Sequence, residues 1–342
     1  MVSWGMKWSV ETDMLELSNI SNVPFEVQSI LAGDTSRLPA FFRQTGLDGI
    51  ELNLYEDWNP ADFPSDWIHG VHLRFWPNWL DFWCGDRDAL CREFGSDRAW
   101  QESFGRTREE WLVQWHHHIR QAVRTGAEYV VFHVSQARTS EIYSRQYAYS
   151  DEDVIQAVLS LVNEIMADLP EGCQLLYENL WWPGLTFCQP ALAAKLLAGT
   201  HHQNTGFMLD TGHLMNTCLE LQDEQEAADY VCRTIAGLGD LRERIYGMHL
   251  HCSLSGVFVR QMKRQYAGRI GKPLSWQETF AYIARTDQHR PFRTQAARQI
   301  VELVQPRYLV HEFIQESWAD WLQKVRLQRA ALGWYEESRC SG

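Results

Sequence analysis

Short apolar runs alternate along this chain with longer amphipathic stretches, and this spacing constrains the fold more than any single residue does, because it marks βαβ units and a parallel sheet. Seven runs read as strands, at residues 49–54, 71–75, 129–134, 174–177, 206–209, 246–250 and 308–311, and a first strand is expected between residues 6 and 17. Helical periodicity occupies 107–125, 151–169, 190–198, 224–238 and 294–304. Eight strands alternating with helices predict the α/β class and a closed (β/α)₈ TIM barrel. No Pro/Gly/Ser-rich linker divides the chain, so residues 1–342 are expected to form a single TIM-barrel domain. The segments at 76–106 and 252–290 are long, and predict enlarged loops after strands 3 and 7 at the barrel end where active sites are built.

A formal net charge of −13 opposes approach to nucleic acid or anionic lipid. No window has the length of apolar sequence that spans a bilayer, and the first residues lack the layout of a signal peptide, which predicts a cytoplasmic protein with no membrane partner. The eight cysteines include no C-x-x-C pair, so neither a thiolate zinc site nor a disulfide framework is signalled. Oligomeric state leaves no mark in the sequence.

The residue at or near the end of six apolar runs is metal-competent: His72, His133, Glu178, Asp210, His249 and Glu312. In a closed barrel these ends converge on one mouth. Imidazoles and carboxylates are costly to bury without partners, and shared coordination of divalent ions satisfies them together. Packing alone gives no reason for such groups at the same end of six strands. His116, His117 and His118 lie mid-helix, where consecutive side chains diverge, and are read as helix surface.

The segments Tyr177-Glu178-Asn179, Leu209-Asp210-Thr211-Gly212-His213, Met248-His249-Leu250-His251 and His311-Glu312 resemble the fifth to eighth strands of the xylose isomerase-like TIM-barrel superfamily, which includes sugar isomerases and epimerases and the endonuclease IV (AP endonuclease family 2) branch. The resemblance to that branch implies two to three divalent ions, zinc, manganese or iron(II). It implies that Glu178 bridges two of them, with His72 and His133 on the first and Asp210, His249 and Glu312 on the second, and that His213, Asp287 and His289 hold the third. Asp287 and His289 lie farther beyond the seventh strand than the family pattern, so an insertion of about one short helix is expected there. His251, two residues after His249, competes as a ligand.

Clustered divalent ions suit hydrolysis of a phosphoester or phosphodiester by an activated water, with Glu178 and Glu312 as the catalytic carboxylates. The basic residues Arg260, Lys263, Arg264, Arg269 and Lys272 after strand 7, joined by Arg138 and Arg145, are expected to favour a small or medium-sized anionic substrate. Trp76, Trp79, Trp83, Trp181 and Trp182 are expected to wall a flat or apolar part of it, with His251 nearby. The pattern also resembles cobamide-remodelling hydrolases, which act on corrinoids. The alternatives are a one-metal sugar isomerase or epimerase with Glu178 and Glu312 as acid–base pair, an abasic-DNA endonuclease, which the net charge disfavours, and a non-catalytic ligand-binding barrel.

Overall fold

The structure is a computed structural model that describes residues 14–269 and 272–334. Eight parallel strands close on themselves in sequence order: β1 (Leu15–Ser21), β2 (Gly49–Asn53), β3 (Ile68–His72), β4 (Tyr129–His133), β5 (Gln174–Glu178), β6 (Thr205–Asp210), β7 (Ile245–Leu250) and β8 (Tyr308–His311), with β1 pairing β8. Helices on the outer face cover the barrel, and one large apolar cluster joins outward-facing Leu52, Val71, Phe207 and Leu309 with helix residues such as Ile119, Val158, Val231 and Ile300. Among the described residues no helix is long and apolar enough to cross a membrane.

Two strands differ from the sequence reading. β1 begins at Leu15 and runs on to Ser21, because Glu16, Ser18, Asn19 and Ser21 interrupt the apolar pattern yet are all buried. The part of that expectation covering residues 6–13 lies outside the described residues. β3 is Ile68–His72, not 71–75: His69 and Gly70 disguise its first half, and His72 ends it.

The inside of the barrel explains where the chemistry sits. Side chains on a strand alternate between faces, so every second residue points inward. Leu17, Val131, Leu176, Met208 and Val310 fill the interior with Tyr129 and Tyr308. Two residues further along the same strands come Asn19, His133, Glu178, Asp210 and Glu312. The polar groups are therefore the next layer of the same stack, standing on an apolar floor at the C-terminal mouth. Pairing reinforces the layer, since Asn53 is in register with His72, His133 with Glu178, and Asp210 with His249.

Gly70 makes room for this floor: a Cβ there would sit 2.0–2.4 Å from the ring of Tyr129, its in-register partner on β4. Gly70→Ala is expected to cost roughly 1–3 kcal/mol, because a buried ring must move in a close-packed barrel. Urea unfolding checks this, and a midpoint equal to wild type would show that the ring yields freely.

The long segment after β3 holds three helices, Leu80–Cys84, Arg87–Phe94 and Asp97–Phe104. They close over the fully buried Trp111, whose ring lies 5.6–6.1 Å from those of Trp76, Trp79, Phe82, Trp83, Phe104 and Trp115. The segment after β7 holds the helices Gly256–Gln265 and Trp276–Thr286, then returns to the barrel through an antiparallel bridge between Cys252 and Arg290, with N–H to O distances of 2.7 and 3.2 Å.

Candidate metal centre

Local sequence aims each group. His72 ends β3 and its Nδ1–H donates to the carbonyl of Leu73 at 3.0 Å, which leaves the Nε2 lone pair facing Glu178 Oε2, also 3.0 Å away. Two electron-rich atoms at that distance require a cation between them, a proton or a metal ion. His133 Nε2 stands 3.3 Å from the same oxygen. Glu178 Oε1 faces Nδ1 of His213 at 3.1 Å and Nδ1 of His249 at 3.4 Å. One fully buried carboxylate thus meets four imidazoles.

Asp210 ends β6 and caps the short helix Thr211–Met215, its Oδ1 accepting the backbone N–H of His213 at 2.6 Å. That cap turns His213 into the mouth, where its Nδ1 lies 2.9 Å from the carbonyl of Asn179 and its Nε2 3.0 Å from Asp287 Oδ2. The other Asp210 oxygen is 2.9 Å from His251 Nε2 and 3.8 Å from His249 Nδ1. His249 Nδ1 is also 3.5 Å from Glu312 Oε2.

The insertion after β7 is two helices rather than the single short one expected, and the Cys252–Arg290 bridge folds its end back over the mouth. Asp287 and His289 are delivered there, 2.7 Å apart between Oδ2 and Nε2. His289 has a φ of +44°, a left-handed conformation unfavourable for a residue with a Cβ, and its ring stacks on that of His251 at 4.1 Å.

Several of these buried atoms have no hydrogen-bond partner: His133 Nδ1, Glu178 Oε1, His249 Nδ1, His251 Nδ1, His289 Nδ1 and Glu312 Oε2. Orphans of this kind are rare in the interior of a protein. Donors about 2.1 Å from a tetrahedral ion lie roughly 3.4 Å from one another. The separations of His249 Nδ1 from Glu178 and Glu312, 3.4 and 3.5 Å, match that spacing. Three sets of donor atoms, the atoms of each within 4.8 Å of one another, stand side by side: His72, His133 and Glu178; Glu178, Asp210 and His249, which shares Glu178 with the first; and His213, His251, Asp287 and His289. A further set of Asp210, His251 and Glu312 links the last two. The residues fit divalent ions with mixed nitrogen and oxygen donors.

Electrostatics carry the same message. Burial works to raise the Glu178 pKa, but His133 and His249 outweigh it and hold the carboxyl well below its ordinary range. Burial opposes charge on His249, yet Glu312, Glu51 and Glu178 raise its pKa well above normal. Burial dominates at Asp210 and Glu312 and raises both. Burial and neighbouring charges together displace each of these groups from its ordinary range.

Sequence reasoning missed Glu51 on β2. It is fully buried, accepts from His249 Nε2 at 2.9 and 3.1 Å, and accepts from the hydroxyl of Tyr129 at 2.8 Å. By taking the Nε2 proton it leaves the His249 lone pair on Nδ1, toward Glu178, Asp210 and Glu312. The signal was a lone glutamate inside the apolar run Gly49-Ile50-Glu51-Leu52, on the inward parity of the strand.

The substrate-facing expectations fare unevenly. Trp182 and Trp181 line a mouth cavity of about 540 Å³ together with His72, His133, His213, Asp287, His289 and Glu312. Trp76 does not line it; it packs against Trp111 and Trp115, with Trp79 and Trp83 in the same cluster, because a large aromatic side chain gains more from that buried knot than from the rim. His251 belongs to the donor cluster. The basic residues do not converge either. Arg260 bonds the carbonyl of Leu219 and pairs with Glu220 at 3.2 Å, while Lys263 and Arg264 are exposed and away from the cavity lining. The side chain of Arg269 lies outside those described. Arg138 is held by Asp81 at 2.6 and 2.8 Å, and Arg145 donates to the carbonyl of Asn216 at 2.8 Å. His118 is not free helix surface: its Nε2 accepts the backbone N–H of Arg74 at 3.0 Å, and burial, then Arg74, lower its pKa to about 3. His116 and His117 pair with Asp168 and Asp57.

The family model described as the xylose isomerase-like TIM barrel matches residues 39–297. Endonuclease IV from Thermus thermophilus is similar in structure, with a TM-score of 0.53 and 16% identity over 93% of this chain and 99% of that one. The IolI protein, solved with a bound zinc atom, gives 0.53 and 13% over 95% and 100%. The 3-keto-D-glucoside 4-epimerase from E. coli gives 0.48 and 13% over 94% and 98%. At such identities the likeness shows the fold alone. No curated protein matches the sequence.

Proposed function

We propose that this chain, which belongs to the xylose isomerase-like TIM-barrel family, is a hydrolase that uses two to three divalent ions to cleave a phosphoester or phosphodiester bond in a small or medium-sized substrate. The observation that carries this reading is Glu178, whose two oxygens face imidazoles on opposite sides, His72 and His133 at 3.0 and 3.3 Å and His213 and His249 at 3.1 and 3.4 Å. A one-metal isomerase has use for Glu178, Asp210, His249 and Glu312, but none for His72, His133 and the cluster around His213.

His72, His133 and Glu178 would hold one ion, Glu178, Asp210, His249 and Glu312 a second, and His213, Asp287 and His289 a third, with His251 between the last two. Zinc, manganese and iron(II) all accept such donors. Bound divalent ions lower the pKa of water and stabilise charge on phosphoryl oxygens. Glu51 keeps the His249 lone pair directed at the site. Glu312 would ligate through Oε2, which lacks a hydrogen-bond partner, leaving its other carboxylate oxygen to accept a proton from an attacking water. Phe75, stacked on His133 at 4.5 Å, and Trp182 form an apolar wall of the cavity beside the donors. The cavity lining contains no lysine or arginine among the described residues, and with the net charge this speaks against a DNA substrate.

Metal analysis of protein reconstituted with zinc, manganese or iron(II) is expected to give two to three equivalents per chain. A screen against phosphodiesters, corrinoids, abasic DNA and ketoses is expected to score on a non-DNA phosphodiester. One equivalent with full turnover of a ketose would overturn the reading in favour of an isomerase with Glu178 and Glu312 as its acid–base pair.

A further inference from the structure

The rim of the mouth is apolar where solvent-exposed side chains are normally polar. Among the described residues eight large hydrophobic side chains are exposed, and four of them, Phe25, Tyr55, Phe280 and Ile314, line the mouth cavity. Phe25 is 80% exposed, Phe280 64% and Ile314 50%. They come from the segments that follow β1, β2, β7 and β8, four neighbouring strands of the closed barrel, and so form one continuous arc. Clustered exposed apolar groups mark a binding surface, whereas single ones are ordinary. The cavity lining brings no lysine or arginine; its acidic members are Glu26, Asp287 and Glu312, beside His72, His133, His213 and His289.

We infer that this arc is a substrate subsite that grips a bulky, uncharged, planar or hydrocarbon part of the molecule whose bond is broken below. The inference rests on the reading of the mouth as the place of hydrolysis, and it replaces the basic grip expected from the sequence. The arc and the floor are one space of about 540 Å³, a size suited to a ligand well beyond a simple sugar. The polar end of such a molecule reaches His72, His133 and Glu312, and its body lies under Phe25, Phe280 and Ile314. The cavity lining offers an extended polyanion no lysine or arginine, so the arc selects against nucleic acid.

The test titrates the full metal-loaded chain with a neutral fluorescent naphthylamine, in wild type and in a double variant, Phe25→Ser with Phe280→Ser. Wild type is expected to bind the probe at one saturable site, and the double variant about tenfold more weakly, with its metal content unchanged. Both substitutions fall on exposed side chains, and a far-ultraviolet spectrum confirms folding. Equal probe binding by the two proteins overturns the subsite. So does a shift from dimer to monomer in sedimentation on substitution, which would make the arc a self-association face. Metal content reads the floor separately: a chain that binds the probe at the arc but holds no divalent ion leaves the apolar subsite standing and ends the hydrolase reading.

Discussion

Glu178→Gln is expected to lower turnover on the order of a thousandfold while leaving the barrel folded. Glutamine keeps the volume and one acceptor oxygen but loses the charge that faces four imidazoles within 3.0–3.4 Å. Metal content should fall together with activity, because the first and second donor sets share this residue. Thermal stability of the metal-free protein should hold, since burial of a carboxylate carries a desolvation cost that glutamine avoids. Full activity with a full complement of ions would remove the shared carboxylate from the mechanism.

Glu51→Gln should weaken metal affinity about 10- to 100-fold, the usual cost of losing a carboxylate behind a metal-bound histidine. Glu51 does not itself line the mouth cavity; it holds His249 at 2.9 Å and stands within 4.8 Å of His72, ligand atom to ligand atom, so it acts as a positioning residue through these two imidazoles. An amide can present its N–H₂ to Nε2 and drive the imidazole proton onto Nδ1, the atom that faces Glu178, Asp210 and Glu312. Chelator competition on wild type and variant measures the change, and Glu51→Asp should recover part of it. Identical dissociation constants would leave Glu51 a mere barrel-filling acid.

How far this molecule can be read from its sequence depends on what a single residue type betrays. Six strand ends stand out because a histidine or acid after an apolar run has no packing explanation, and those ends do converge. β3 is displaced from its expected place because Gly70 is required by the Tyr129 ring opposite it, a tertiary demand invisible along the chain. Glu51 escapes because one acid within an apolar run looks like noise until the closed barrel brings His249 against it from the seventh strand. Asp287 and His289 are legible only through the resemblance, and the bridge between Cys252 and Arg290 that returns them to the mouth cannot be read from spacing. The tryptophans and the basic stretch mislead for a common reason: composition gives the stock of side chains but not their direction. Trp76 turns into the knot around Trp111, and Arg260 is spent on the carbonyl of Leu219.

Because the donor groups are dealt out from β3 through β8 and from the segments that follow β6 and β7, each set joins residues that lie far apart along the chain. Glu312 is the last of the donors to be synthesised, so the set that it shares with Asp210 and His251 can form only once β8 has been made. A cation held by that set would work as a clasp fastened last, tying the end of the eighth strand to the ends of the sixth and seventh.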